Sequence, residues 1–137
     1  MRPRVLLWPP KAENQLPFEI TITREFSASH QIRLYDGSLE PLHSHDWRVK
    51  VTVGAEKLDS IGVVMDFHKL ERLVDQVIQP MHNRRLNDLP GFASLNPSAE
   101  NVAREIAQSL HLPGHVTLLN VEAWETPTCR ARWSVNR

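Results

Sequence analysis

The chain has 137 residues, and its 16 Lys and Arg are balanced by 16 Asp and Glu. A balanced surface has no general attraction for nucleic acid or an anionic membrane, so neither is an expected partner. Hydrophobic residues make up 41%, which at this length supports one core and excludes a second domain. The single cysteine, Cys129, excludes an intrachain disulfide and fits a reducing, cytoplasmic setting.

Residues 1–17 carry Pro3, Pro9, Pro10 and Pro17, which block helix and central strand alike. An extended arm that packs along a neighbour is expected there, ahead of a single domain over residues 18–137. The apolar run from Val5 to Trp8 is short of the about 7 to 15 residues of a secretory core. No stretch approaches the about 20 apolar residues that span a bilayer.

From Phe18 to about Ala28 apolar residues fall on even numbers (Phe18, Ile20, Ile22, Phe26, Ala28), the alternation of a half-buried strand. Gln31 to Leu42, with Asp36-Gly37-Ser38 and Pro41, has turn composition. A second strand runs from His43 to Ala55 with odd parity (Trp47, Val49, Val51, Val53, Ala55), and two such strands in succession predict an antiparallel pair. Beyond Gly62 and Val63-Val64-Met65, Asp66 is placed to cap a helix whose stripe is Leu70, Leu73, Val74, Val77, Ile78 and Met81. Pro80 should stop or kink it. A second helix starts near Asn96-Pro97-Ser98, capped by Asn96 or Ser98, with the stripe Val102, Ala103, Ile106, Ala107 and Leu110, and Pro113-Gly114 ends it.

Val116 to Glu125 and Cys129 to Val135 complete the set, joined by Thr126-Pro127-Thr128. The order predicts an α+β domain: a four-stranded antiparallel sheet with two helices on one face. Apolar residues on both parities of the third long strand, Leu118 with Trp124 and Leu119 with Val121, predict that partner subunits bury the other face. Cys129 shares the apolar parity of the last strand and reads as a small core residue.

Three histidines stand out against this frame. His30 continues the even parity of the first strand, and His43 and His45 share the odd parity of the second. Strand residues two apart lie roughly 6.5 Å apart and point the same way, so His43 and His45 can reach one ion if a third ligand comes from a neighbouring strand. His30 is that ligand. With seven histidines in the chain an isolated His-x-His means little, but a histidine that binds nothing has no reason to take the core-facing register on two strands. Three neutral imidazoles with a fourth position left to water or substrate is the donor set of a catalytic zinc site.

Several blocks, in order, resemble one family: Phe26-Ser27-Ala28-Ser29-His30, His43-Ser44-His45, Gly62 to Phe67, His82 with Leu86-Asn87, Pro97 to Asn101, and Glu125-Thr126. Together they resemble the 6-pyruvoyl-tetrahydropterin and 6-carboxytetrahydropterin synthases, from about residue 18 to 135. The resemblance implies the tunnelling fold, in which subunits of a trimer or hexamer join their sheets into a barrel. It also implies Zn2+ on His30, His43 and His45, and a pterin substrate at a subunit interface. Glu125 would grip the pterin, whose 2-amino group and ring N–H present two adjacent donors to a carboxylate. Ser98 and Glu100 match a block near the pterin, although Ser98 serves equally as a helix cap. Asp66 matches a family position but reads as a cap.

The chain departs from the pattern where protons move. Leu39 stands four residues before His43, in the place of the usual cysteine, and Met81 stands in place of an aspartate, which leaves His82. Ser44 replaces a glycine and adds a side chain beside the metal. Glu40 matches a branch of the family that resembles an aldolase shortening dihydroneopterin triphosphate to 6-hydroxymethyl-dihydropterin, and a carboxylate next to zinc can serve as general base. Glu40 reads equally as a solvated loop residue. A zinc-dependent pterin lyase using His82 and Glu40 is the leading expectation, and a zinc- and pterin-binding protein of the same fold without lyase activity is the alternative. The pathway stays open among deazaguanine (queuosine), biopterin and folate branches.

Overall fold

The computed structural model describes residues 15–135, so the expected arm lies, but for its last three residues, outside the described residues. The elements are β1 (Phe18–His30), β2 (His43–Ala55), α1 (Phe67–Ile78), β3 (Arg84–Arg85), α2 (Ala99–Ser109), β4 (Thr117–Thr126) and β5 (Cys129–Ser134). They form one sheet of five strands in the order β3-β1-β2-β4-β5. All pairings are antiparallel except that of β3 with β1. The α+β class holds, and the fifth strand is the difference from expectation. Two charged residues carry no alternation to read, and their strand exists because Asn83 turns the chain through φ 58° and donates its N–H to Ser27 O at 2.6 Å.

β2 is flanked on both sides, so its odd residues are the centre of the core. Trp47, Val49, Val51 and Val53 are wholly buried, and Trp47 stacks on its cross-strand partner Phe26 with centroids 6.1 Å apart. Both helices cover this face. Asp66 accepts the His68 N–H to start α1, which buries Leu70, Val74 and Ile78, one residue per turn. The helix ends at Ile78, and Pro80 opens a single 3-10 turn that carries Met81 into the core. Ser98 caps α2 by accepting from Asn101 N–H, and α2 buries Val102, Ala103, Ile106 and Ala107. Arg24 clamps β1 to α1 with a two-bond grip on Asp75 at 2.7 and 2.8 Å.

The opposite face is not the apolar surface expected from both parities of β4. A bulge places Leu118 opposite Val53 and Asn120 opposite Thr52, leaving Leu119 without a partner on β2. The extra residue shifts the phase, so Leu118 joins Val121 and Ala123 on the helix-covered face and packs against the core. Asn120, Glu122 and Trp124 alternate to the other side with Lys50 and Arg48, and Arg130 reaches Glu122 at 2.9 Å. That face is polar and rich in charge.

Candidate metal centre

The strand pairing that forms the core also builds the site. β1 and β2 run antiparallel with His30 opposite His43, so the core-facing stripe ends in imidazoles. The ligating nitrogens of His30, His43 and His45 all lie within 4.8 Å of one another, with ring centroids 4.5 to 5.1 Å apart. Trp47 forms the floor, its ring edge-on to His30 and His45 at 5.2 and 5.8 Å.

Hydrogen bonds fix the proton arrangement of two of the three rings. His30 Nδ1 faces Pro97 O at 2.8 Å and His43 Nδ1 faces Pro41 O at 2.9 Å. A carbonyl only accepts, so both Nδ1 atoms are donors and, in neutral rings, both Nε2 atoms carry lone pairs. Those two Nε2 atoms are 2.9 Å apart, Glu125 Oε1 stands 3.2 Å from His30 Nε2, and His45 Nε2 is buried with no partner. Two imidazole nitrogens and a carboxylate oxygen thus converge as acceptors with no donor shared between them, and the His45 nitrogen is buried beside them without a partner. A cation among them resolves the conflict, and three imidazoles, two of them oriented by carbonyls on their far nitrogens, suit a divalent metal. Burial pushes the His45 imidazole below its ordinary pKa, which keeps its lone pair available.

Glu125 reaches His30 because it continues the parity of Val121 and Ala123 on the core face, and a slip in register with β5 leaves it without a partner on that strand. Glu40 Oε1 lies 3.8 Å from His43 Nε2 and accepts the Ile32 N–H at 3.0 Å, so Glu40 is a held side chain rather than a solvated loop residue. Ser98 and Glu100 line a cavity of about 430 Å3 together with Glu125, Cys129 and Arg132. A second cavity, of about 550 Å3, joins His45 and Glu125 to Asp46, Arg48 and Trp124.

His82 stands apart. It is exposed, and its Nδ1 accepts from Ser27 N–H at 3.2 Å along the outer edge of β1. Leu39 is 42% exposed and borders another cavity with Arg33 and Asn87, while Met81 is buried in the core. Neither can move a proton. Ser44 alternates away from the two histidines that flank it, but it lines the same cavity as His45 and Glu125.

Cys129 is exposed, against the expectation of a core residue. Its parity is apolar, but α2 begins only at Ala99, and no helix covers the start of β5. The Thr126 and Thr128 hydroxyls hold its thiol below the ordinary pKa. The carbonyls of Pro41 and Pro97 were invisible in the sequence as orienting partners. A proline two residues from a ligand histidine carries no such signal, and Pro97 is brought to His30 only by the tertiary fold.

Residues 19–135 match the family model described as 6-pyruvoyl tetrahydropterin synthase. A dihydroneopterin monophosphate aldolase of Pyrococcus furiosus is 35% identical over 102 residues, covering 73% of this chain and 82% of that protein. A 6-carboxy-5,6,7,8-tetrahydropterin synthase of Synechocystis is 34% identical over 119 residues, covering 82% and 91%. The 6-pyruvoyl tetrahydropterin synthase of Caenorhabditis elegans shares the fold with a TM-score of 0.73 at 23% identity, covering 88% of this chain and 98% of that one. Of the described residues, no helix is long and apolar enough to cross a membrane. With the family model spanning nearly the whole chain, the chain belongs to the 6-pyruvoyl tetrahydropterin synthase family of pterin-processing enzymes.

Proposed function

We propose that the chain is a zinc-dependent lyase acting on a reduced pterin with a hydroxylated C6 side chain, and that it cleaves this side chain to leave 6-hydroxymethyl-dihydropterin. Dihydroneopterin phosphates, the monophosphate or the triphosphate, fit as substrate. The observation that carries the reading is the convergence of three imidazole nitrogens and a carboxylate oxygen beside two cavities that share Glu125. The Pyrococcus relative, named as an aldolase on the monophosphate, favours cleavage over elimination of phosphate.

In this reading His30, His43 and His45 hold zinc through Nε2, while Pro97 and Pro41 keep the first two rings turned the right way. Bound there, zinc supplies a Lewis acid that lowers the pKa of side-chain hydroxyls. Glu125 accepts from the 2-amino group and ring N–H of the pterin, and Ser98 and Glu100 border the same space and restrict how the ring enters. Glu40 takes the proton of the C2′ hydroxyl. The C1′–C2′ bond then breaks, C2′ leaves as an aldehyde that retains the phosphate, and the electron pair left on C1′ delocalises into the C6–N5 imine. A proton delivered to C1′ closes the reaction.

His82 is the donor of that proton, contributed by a neighbouring copy. Its position on the outer edge of β1, away from the triad, supports an assembly in which sheets join edge to edge as a trimer or hexamer. The polar face would then line the interior of the barrel. Incubating the zinc-loaded protein with dihydroneopterin monophosphate and triphosphate, and separating the pterins by chromatography, tests the reading. A 6-hydroxymethyl product is expected, and unchanged substrate on fully loaded protein overturns it.

A second reading is favoured by Leu39 and Met81, which replace two proton-transfer groups with side chains that carry no ionisable proton, Met81 being 4% exposed within the core. A protein that binds zinc and pterin without chemistry would retain a pterin through purification and turn none over.

A further inference from the structure

Asn87, of the Leu86-Asn87 motif, and Asn96 make no hydrogen bond to the three histidines, yet both grip the residues that follow His30 directly. Asn87 Oδ1 accepts the Gln31 N–H at 2.9 Å, and its Nδ2 donates to Gln31 O at 2.8 Å. Asn96 repeats this on Arg33, accepting at 2.8 Å and donating at 3.0 Å. Between them Ile32 donates its N–H to Glu40 Oε1 and accepts the Glu40 N–H on its carbonyl, each at 3.0 Å. All six backbone groups of Gln31, Ile32 and Arg33 are therefore matched, four of them by two carboxamides.

A carboxamide presents an acceptor and a donor side by side, which is what the edge of a neighbouring strand presents. β1 ends at His30, and the two asparagines continue its pairing for three more residues. Both are themselves anchored. Asn87 follows Leu86, a fully buried residue, and the Asn96 carbonyl accepts from Asn101 Nδ2 at 2.8 Å in the first turn of α2. Without them the segment would exchange these bonds for water at little net cost, and Ile32 would no longer fix Glu40.

We propose that Asn87 and Asn96 are positioning residues for the proton transfer. They hold Gln31 to Arg33 as an extension of β1, so that Ile32 presents the Glu40 carboxylate to the triad. The proposal rests on the reading of Glu40 as the base.

The test uses the full zinc-loaded chain with Asn87→Ala and Asn96→Ala, each alone and combined with Glu40→Gln, and with amide hydrogen exchange at Ile32 as an independent readout. Each alanine variant is expected to lower kcat about tenfold or more while KM moves less than about twofold and zinc content stays unchanged. In the Glu40→Gln background neither should lower kcat further, because both act through that carboxylate. Ile32 exchange should accelerate about tenfold or more in each variant, as it should in Glu40→Ala. Asn87→Asp and Asn96→Asp keep the acceptor and lose the donor, and carry the test if an alanine variant does not fold. Additive losses of kcat, or undiminished Ile32 protection, overturn the proposal. If the wild-type protein turns over no pterin, the reading of Glu40 fails by that result alone, and Ile32 exchange still decides whether the asparagines hold its carboxylate.

Discussion

The two ends of β2 obey one register and do opposite work. From Val49 to Val53 the helix-facing side chains are apolar, wholly buried and satisfied by packing alone. At His43 and His45 the same face presents imidazole nitrogens, and packing cannot satisfy them. A strand that folds a core over most of its length thus builds a candidate cation site at its end by changing only the side-chain chemistry. The difference teaches that one end depends on packing and the other, in the proposed reading, on a bound cation, so each end should fail in its own way.

The comparison breaks most sharply on the ligands. His45→Ala should abolish stoichiometric zinc binding, measured by elemental analysis after dialysis, and take turnover with it. Leu70→Ala, at the packed end, should do the reverse. It should cost about 2 to 5 kcal/mol in urea denaturation, because Leu70 is fully buried, while zinc content stays at one per chain. Loss of zinc in the core variant, at a temperature where it is folded, would dissolve the distinction.

Smaller effects sharpen it. Glu125→Gln keeps one acceptor and loses the charge, so pterin affinity in a fluorescence titration should fall by about 10- to 100-fold with zinc retained. Acid should act on the site end alone. Burial holds the folded-state pKa of His45 below its unfolded value, so below about pH 6.5 the unfolded chain binds more protons than the folded one. Stability of the chelated protein should therefore be complete above that pH and decline as pH falls towards the depressed folded value. The decline should be shallower in His45→Ala, and chemical denaturation at a series of pH values from 5 to 8 measures it. The least effect belongs to Arg24→Ala, since a partly exposed ion pair contributes about 0 to 1 kcal/mol.

Cys129 offers a test on the cavity side. Its exposed thiol, held below the ordinary pKa by two threonine hydroxyls, should be alkylated by iodoacetamide in the native protein faster than a free cysteine at neutral pH. A bound pterin should slow the reaction, because the thiol and Glu125 line one cavity.

What was legible in the sequence was whatever repeats. The two parities of β1 and β2 gave the core stripe and the histidine triad from one rule, and Asp66 and Ser98 marked both helix starts. Single-residue events were not legible. The extra residue Leu119 reverses the face of everything before it in β4, and no composition signal announces a bulge. β3 is too short to alternate, and Cys129 follows the apolar parity past the point where α2 covers it. Glu40 could be read equally as base or loop residue, since its anchor on Ile32 is tertiary.

Trp47 lies edge-on to two of the three imidazoles at centroid distances of 5.2 and 5.8 Å, and wholly shielded from water. An indole so placed is an optical gauge built into the floor of the site. A paramagnetic ion such as Cu2+ or Co2+ would quench its emission on arrival, and a pterin seated above would draw energy from it. Occupancy by metal and by substrate can therefore be followed in the same unlabelled sample, one after the other.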